Sequence, residues 1–227
     1  MQAPHDVGRR ARRHDQPVLG LQVKTTPPQR LGVSRTPVRE SFQRLAREGL
    51  VRVLPQRGSQ VALLSIQRIR EALFVREAVE SHVIRRVLQH PLASESLDQL
   101  EACIQRQAAA MAQGDIDQLM RCDEDFHQTM LSLCHMQGVW PIVAQARDMH
   151  QRVRAIALPE LDTGEQAITD HRAILLALRQ HDLEKAIAQM GLHLQQNEKL
   201  TLQIAALHPD YFERGPAESE FGLRPAA

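Results

Sequence analysis

Aromatic residues make up only 3% of this 227-residue sequence, although 43% of its residues are hydrophobic. The apolar content is therefore mostly Leu, Ala, Val and Ile, which favours packed helices over an aromatic-rich β-sandwich or barrel. A chain of this length can bury a sizeable core, and its composition excludes disorder of the chain as a whole.

Cysteine is also scarce, with Cys103, Cys122 and Cys134 as the three examples and no C-x-x-C pair. This odd number predicts neither a disulfide framework nor a thiolate zinc site, and it favours a reducing compartment. The sequence contains no run of 18 consecutive apolar residues and no apolar stretch that would form a signal peptide. We therefore expect a cytoplasmic protein with no membrane partner.

Charge nearly cancels over the whole chain, at +1, but it is unevenly distributed. Residues 1–60 contain 12 Lys or Arg against four Asp or Glu, a net charge of +8, and the remaining 167 residues carry −7. Such asymmetry points to a polyanion as the partner of the N-terminal part. A solvated basic face without a partner is the alternative that charge alone leaves open.

The N-terminal part begins with a basic irregular arm, residues 1–29, which contains R-R-A-R-R and three prolines but no sustained apolar period. An apolar row at helical spacing, capped by Ser34 and stopped by Gly49, predicts a helix over residues 34–48. Two short strand-like runs then flank a Pro/Gly turn and predict a β-hairpin. Turn, helix and hairpin predict a winged helix-turn-helix over residues 30–64, incomplete at its N-terminus.

The remainder is predicted to be all-helical, so the fold class is mostly α: a winged helix-turn-helix followed by a bundle of about six helices over residues 65–206. Breakers and caps predict helices at 66–90, 94–113, 115–134, 138–157, 164–181 and 182–206. Pro159 is among the expected breakers. Residues 207–227, which are rich in Pro and Gly, are predicted to be a flexible tail.

The predicted helix at 34 presents side chains that suit a DNA groove. Arg35 and Arg39 lie four residues apart and share a helix face with Thr36 nearby. Arginine binds guanine or phosphate bidentately, and threonine contacts a thymine methyl or a phosphate oxygen. At the tip of the hairpin, Arg57 and Gly58 would let the backbone and a guanidinium approach the nucleic acid.

Leu31 to Val61 resembles the DNA-binding domain of GntR-type bacterial transcription regulators, on the residues L-G-V-S-R-T-P-V-R-E-S-F-Q-R-L-A-R-E-G-L-V-R-V-L-P-Q-R-G-S-Q-V. The resemblance implies that Arg35, Thr36, Arg39 and Gly58 contact operator DNA. Family members carry a helix and an L-x-E-x-x-L-A pattern before this run, whereas Val23 to Arg30 reads V-K-T-T-P-P-Q-R here. A frameshift or an altered start is one hypothesis for this difference.

A second cluster of candidate residues lies in the acidic, helical part. Asp123 and His127 are four residues apart on one helix face, a spacing that lets both hold one cation. His171 and His193 follow in separate later helices, each among apolar residues. The alternative for each histidine is a core residue. Six further histidines share no spacing and are interpreted as surface or core residues: His82, His90, His135, His150, His181 and His208.

The pieces D-x-x-F-H, H-R-x-I-L and a final H-L, found in this order, resemble the FCD-type ligand-binding domain of the FadR subfamily. The resemblance implies that Asp123, His127, His171 and His193 hold a divalent metal, for which zinc or nickel suits the donors best. Arg76, Arg152 and Arg154 are candidates for binding the carboxylate of a small organic acid effector. Solvated or ion-paired arginines are the alternative.

Together these features predict a ligand-responsive transcription regulator, expected to be a repressor, that binds double-stranded operator DNA as a homodimer and is not an enzyme. One alternative is a dimeric metal- and ligand-binding protein whose DNA-binding head is defective. Another is a metal-dependent hydrolase, although no paired acid/base or nucleophile motif accompanies the predicted metal ligands.

Overall fold

The computed structural model describes residues 22–23, 34–55, 58–161 and 163–214, except for the side chains of Gln22, Val23 and Arg35. Contacts divide the chain into two units, residues 1–62 and 63–227. The division lies two residues before the boundary that the sequence predicts between a DNA-binding and a helical domain.

The N-terminal unit contains helix α1 (Arg35–Arg47) and strands β1 (Gln22–Val23), β2 (Val51–Leu54) and β3 (Gly58–Val61). Helix α1 follows Ser34, whose backbone is extended but whose side chain makes no capping hydrogen bond. It ends before Gly49, whose φ of 73° is the left-handed conformation expected of a helix stop. The predicted helix and hairpin are confirmed.

The sheet of this unit has three strands in the order β1-β3-β2, all antiparallel. Strand β1 corrects the prediction that residues 1–29 contain no regular element, since Gln22 pairs with Gln60 and Val23 with Ser59. A two-residue strand has no periodicity to detect, and it forms here because β3 offers it a free edge. The remainder of the predicted arm lies outside the described residues.

The apolar face of α1 is incompletely covered. Its residues Val38, Phe42 and Leu45 are half-buried. Within the described part of the N-terminal unit, Val51 is the one hydrophobic residue that is buried. This unit therefore has a small core in the part of the chain that the structure describes.

The second unit contains the six predicted helices. They are α2 (Ile66–Val87), α3 (Ser94–Gln113), α4 (Ile116–Leu133), α5 (Trp140–Leu161), α6 (Gly164–Arg179) and α7 (Leu183–Leu207), with 3-10 turns at Gln137–Val139 and Pro209–Tyr211. Side-chain caps begin three of them, because Ser65, Asp115 and Asp182 each accept a hydrogen bond from the backbone N–H three residues on. None of the described helices has the length and apolar character needed to span a membrane.

Helix α3 packs on α4 and α6, α2 on α5 and α7, and α6 on α7. One continuous hydrophobic core lies among these helices, and Ile84, Leu100, Phe126, Ile174 and Met190 are among its most deeply buried members. Pro159 does not end α5, which continues to Leu161. Pro159 lies in the last turn, so its missing N–H leaves the carbonyl four residues before it without a helical partner, and the helix ends two residues later.

The sequence predicts a flexible tail over residues 207–227, but residues 209–213 form a 3-10 turn and backbone hydrogen bonds. The N–H of Leu64 donates to the carbonyl of Tyr211 at 2.8 Å, and the N–H of Glu213 donates to the carbonyl of Leu64 at 2.7 Å. Leu64 and Phe212, which form a parallel bridge, are both buried. Burial of these two apolar side chains holds residues 211–213 against Leu64, which lies two residues before α2.

Candidate metal and ligand centre

Four side chains from three helices meet in the interior of the helical unit. Helix α4 contributes Asp123 and His127, α6 contributes His171 and α7 contributes His193, and all four are buried. Their potential ligand atoms lie within 4.8 Å of one another. The structure thus brings together the four residues that the sequence predicts as metal ligands, although 70 residues separate the first from the last.

The three imidazole rings of this cluster contact one another. The ring centroid of His171 lies 5.3 Å from that of His127 and 4.7 Å from that of His193. Phe126, which is fully buried, stacks on His171 at 4.0 Å with an interplanar angle of 16°. The hydrophobic core therefore limits the positions available to the imidazole of His171.

Each histidine has an outer partner at its Nδ1. His127 donates to Glu80 Oε2 at 2.5 Å, and His171 donates to Gln107 Oε1 at 2.8 Å. His193 donates to Asp170 Oδ2 at 3.3 Å. An Nδ1–H that is held in this way leaves the lone pair on Nε2, which is the usual arrangement of metal-binding histidines.

Asp123 is enclosed by positive charge. Its Oδ2 accepts from Arg147 at 2.5 Å and lies 2.6 Å from Arg154 Nη1, both on α5. Its Oδ1 lies 3.5 Å from the amide nitrogen of Gln107, the residue that also holds His171. The two arginines occupy one carboxylate oxygen and leave Oδ1 on the side of the histidines.

The protonation states follow from burial and these neighbours. Burial raises the pKa of Asp123, but Arg154 and Arg147 hold it well below the ordinary value. Burial also raises the pKa of Glu80, and Arg76 and His127 overcome that effect. Burial lowers the pKa of His127 to about 4, and burial together with His193 lowers that of His171. At neutral pH the carboxylates are ionised and these imidazoles are neutral, the forms that bind metals.

The donor set fits a divalent ion. The Nε2 atoms of His127 and His171 are buried and have no hydrogen-bond partner among the described residues. Buried polar atoms are normally paired, so such orphans call for an explanation. Three imidazole nitrogens and one carboxylate oxygen suit zinc, nickel or a similar ion, and further coordination positions remain for water or a ligand.

A basic cluster adjoins these residues, and we define it as Arg76, Arg147, Arg154 and His150, all of which are buried. Arg76 bonds to Glu80 at 2.7 Å, and Arg147 and Arg154 bond to Asp123. Arg76 and Arg154 are thus two of the three predicted effector-binding arginines. The third, Arg152, is half-buried, and its Nη1 lies 3.8 Å from Met149 Sδ.

Sequence reasoning missed Arg147 and the outer partners Glu80 and Gln107, and it treated His150 as an ordinary surface or core residue. A signal was available on α5, where Val143, Arg147, His150 and Arg154 recur every three or four residues and are all buried. Charged side chains at the positions of a buried helix stripe indicate a polar site inside the bundle. Asp170, the neighbour of His171 in the sequence, bonds to His193 on α7.

A polar cleft between α6 and α7 leads from the surface to this centre. It has a volume of about 150 Å³, and its lining includes Arg154, Asp170 and His193. The outer part is lined by Gln166, Gln196, Asn197, Lys199 and Gln203. The cleft offers a small polar molecule a path to the buried donors.

The predicted DNA-contacting residues lie in the N-terminal unit. Thr36 and Arg39 on α1 are exposed. Gly58 begins β3 with a φ of 90° and open space around its α-carbon, so a backbone can be approached closely there. The side chain of Arg35 and the whole of Arg57 lie outside the described residues.

Two family models match the chain. The FCD domain matches residues 71–196, and the model described as bacterial regulatory proteins of the gntR family matches residues 28–61. The FCD match includes all four candidate metal ligands, and the gntR match includes α1 and the hairpin.

The chain is 32% identical to the HTH-type transcriptional repressor RspR of Escherichia coli K12 over 183 residues, covering 81% of this chain and 80% of the relative. It is 35% identical to an HTH-type transcriptional regulator of Streptomyces ambofaciens over 182 residues, covering 80% and 76%. The structure of E. coli McbR/YncC is similar in fold, with a TM-score of 0.67 at 20% identity over 82% of this chain and 89% of that one.

These families and relatives are transcription regulators and not enzymes, so the hydrolase alternative is set aside. The gntR match starts at residue 28, before α1, and ends at residue 61, the last residue of β3. The chain belongs to the GntR family of bacterial transcription regulators and carries an FCD domain.

Proposed function

We propose that this regulator binds a divalent metal, zinc or nickel, through Asp123, His127, His171 and His193, and that a small organic acid effector docks beside the metal. The observation that carries the proposal is the convergence of four buried donors whose histidines are each held at Nδ1 by an outer partner. Outer partners of this kind fix the ring orientation and raise the basicity of the ligand.

The effector would be an acid because the wall beside the metal ligands is made of guanidinium groups. Arg76, Arg147 and Arg154 each retain a nitrogen without a partner among the described residues, in addition to their ion pairs. Guanidinium binds carboxylate with directional, charge-assisted hydrogen bonds. The cleft between α6 and α7 reaches one of them, Arg154, and the candidate ligand His193.

The N-terminal unit would bind operator DNA through Arg35, Thr36, Arg39, Arg57 and Gly58, with α1 in the major groove. The matching gntR model and the exposure of Thr36 and Arg39 support these roles. We propose that the protein acts as a homodimer on a palindromic operator. Repression is the proposed sign of regulation because its relative RspR is described as a repressor.

The segment that follows the wing could link the two functions. Leu64 bonds on both sides to Tyr211 and Glu213, just beyond the end of α7, the helix that carries His193. Leu64 also lies two residues before α2, which carries Arg76 and Glu80. An effector that binds the DNA-competent and the incompetent state unequally would shift their populations through this attachment.

Fluorescence anisotropy tests the proposal with the purified protein and DNA from upstream of its own gene, at several salt concentrations, with zinc or with a chelator. We expect binding tighter than to a scrambled duplex, a steep salt dependence and an affinity that zinc changes. Binding equal to that of the scrambled duplex would favour the alternative of a metal- and ligand-binding protein with a defective head.

A further inference from the structure

We infer that the effector carries two acidic groups, one directed to the metal ligands and the other to the basic cluster, and is therefore a dicarboxylate or a similar dianion. The inference deepens the proposed function and rests on it. It follows from two observations about buried groups. One is the balance of charge around the centre, and the other is the set of nitrogen atoms that its ion pairs leave without a hydrogen-bond partner.

Charge around the centre cancels before a metal is counted. The charged side chains here are three guanidinium groups, of Arg76, Arg147 and Arg154, and three carboxylates, of Glu80, Asp123 and Asp170. Arg76 pairs with Glu80, Arg147 and Arg154 pair with Asp123, and Asp170 contacts His193. All six side chains are at most 14% exposed. A divalent ion bound to the histidine nitrogens would add two positive charges in a region largely shielded from water, where uncompensated charge is costly. A dianion restores neutrality, whereas a monoanion leaves one charge unbalanced.

The donors of the basic cluster exceed the acceptors of their ion pairs. Arg147 uses one Nη on Asp123, and its Nε and other Nη are buried without a partner among the described residues. Arg76 Nη2 and Arg154 Nη2 are likewise buried without a hydrogen-bond partner among the described residues. Both ring nitrogens of His150 are also buried and unpaired within this part of the chain. Buried donors of this number need an acceptor, which a carboxylate distant from the metal would supply.

The two groups of donors belong to one site. Asp123 connects them, because its Oδ2 is held by Arg147 and Arg154 and its Oδ1 faces His171. A short chain between two acidic groups could therefore reach the metal position and the basic cluster together.

The test uses full-length, zinc-loaded protein and isothermal titration with malonate, succinate, glutarate and adipate, each paired with its own monoamide. The monoamide keeps the size of its partner and removes one charge. We expect at least one dicarboxylate to bind about tenfold or more tightly than its monoamide, the ratio that corresponds to one ordinary charge-assisted hydrogen bond.

Two variants identify the second subsite. Arg76→Gln should lower the affinity for the dicarboxylate about tenfold or more and change the affinity for the monoamide little. Arg85→Gln, at an exposed position on the same helix as Arg76, is the matched control and should leave both affinities unchanged. Zinc titration and circular dichroism of each variant establish that it is folded and loaded.

Equal affinities for dicarboxylates and monoamides, or no binding of any dicarboxylate, would overturn the inference while the metal site stands. Equal losses in Arg76→Gln and Arg85→Gln would likewise overturn the role of the basic cluster. Failure of the wild-type protein to bind zinc is a different result, which rejects the proposed function and the inference with it.

Discussion

The two units of this chain carry their function in opposite ways. The candidate DNA-binding residues of the N-terminal unit lie within 24 consecutive positions, Arg35 to Gly58, on an exposed helix and hairpin with a small described core. The candidate metal ligands of the helical unit come from three helices and are buried inside a continuous core. Local sequence therefore suffices to recognise the first surface, whereas the second site depends on packing.

The largest expected effect is in the helical unit. Asp123→Ala should abolish tight zinc binding and lower the free energy of unfolding by about 3–5 kcal/mol, because Arg147 and Arg154 would lose their buried carboxylate. Asp125→Ala is the control, since Asp125 is half exposed and makes a single 3.4 Å contact with Arg106. That control should change stability by about 0.5 kcal/mol or less, measured by urea unfolding. Similar losses in both variants would contradict the buried ion-pair network.

Truncating aromatic residues would sharpen the comparison of the two cores. Phe126→Ala should cost about 3–5 kcal/mol, because Phe126 is fully buried and stacks on His171. Phe42→Ala, at a half-buried position on α1, should cost clearly less, about 1–2 kcal/mol. Phe74→Ala, at a position that is 73% exposed, is the control and should change stability by about 0.5 kcal/mol or less. A loss in Phe42→Ala equal to that in Phe126→Ala would show that α1 has a full core.

Acid should destabilise the metal-free helical unit. His127 has a pKa of about 4 when folded and 6.5 as its ordinary value, and burial also lowers the pKa of His150 and His171. The unfolded chain therefore takes up protons first, so stability is lost as the pH falls from about 6.5 towards 4. His127 alone would contribute about 3 kcal/mol. Urea titrations of chelator-treated protein at a series of pH values measure this loss, and a flat profile over this range would show that these histidines are not buried.

The smallest expected effect concerns DNA. Arg39→Ala should weaken operator binding by about 1–3 kcal/mol, because it removes an arginine that we propose contacts DNA, and it should leave zinc binding unchanged. Arg85→Ala removes the same charge from an exposed position on α2 and is the control. Anisotropy titrations compare the two variants, and an equal loss of affinity would mean that Arg39 acts only through net charge.

Much of the fold could be predicted from sequence because caps, breakers and apolar spacing are local signals, and six helices with their order follow from them. The ligand residues were predicted through the resemblance of D-x-x-F-H, H-R-x-I-L and H-L to a known domain. The outer partners could not be predicted from the sequence. Glu80 lies 47 positions from His127, which it holds, and Gln107 lies 64 positions from His171. The pairing of β1 and the bridge from Leu64 to Phe212 likewise depend on tertiary contacts.

X-ray absorption at the zinc edge of the loaded full-length protein tests the central claim most directly. The account predicts a first shell of nitrogen and oxygen atoms at about 2.0–2.1 Å, with the outer-ring scattering of three imidazoles and no sulfur. A sulfur shell at about 2.3 Å would contradict it and would place the ion on the cysteines. A shell without imidazole scattering would equally show that His127, His171 and His193 do not hold the metal.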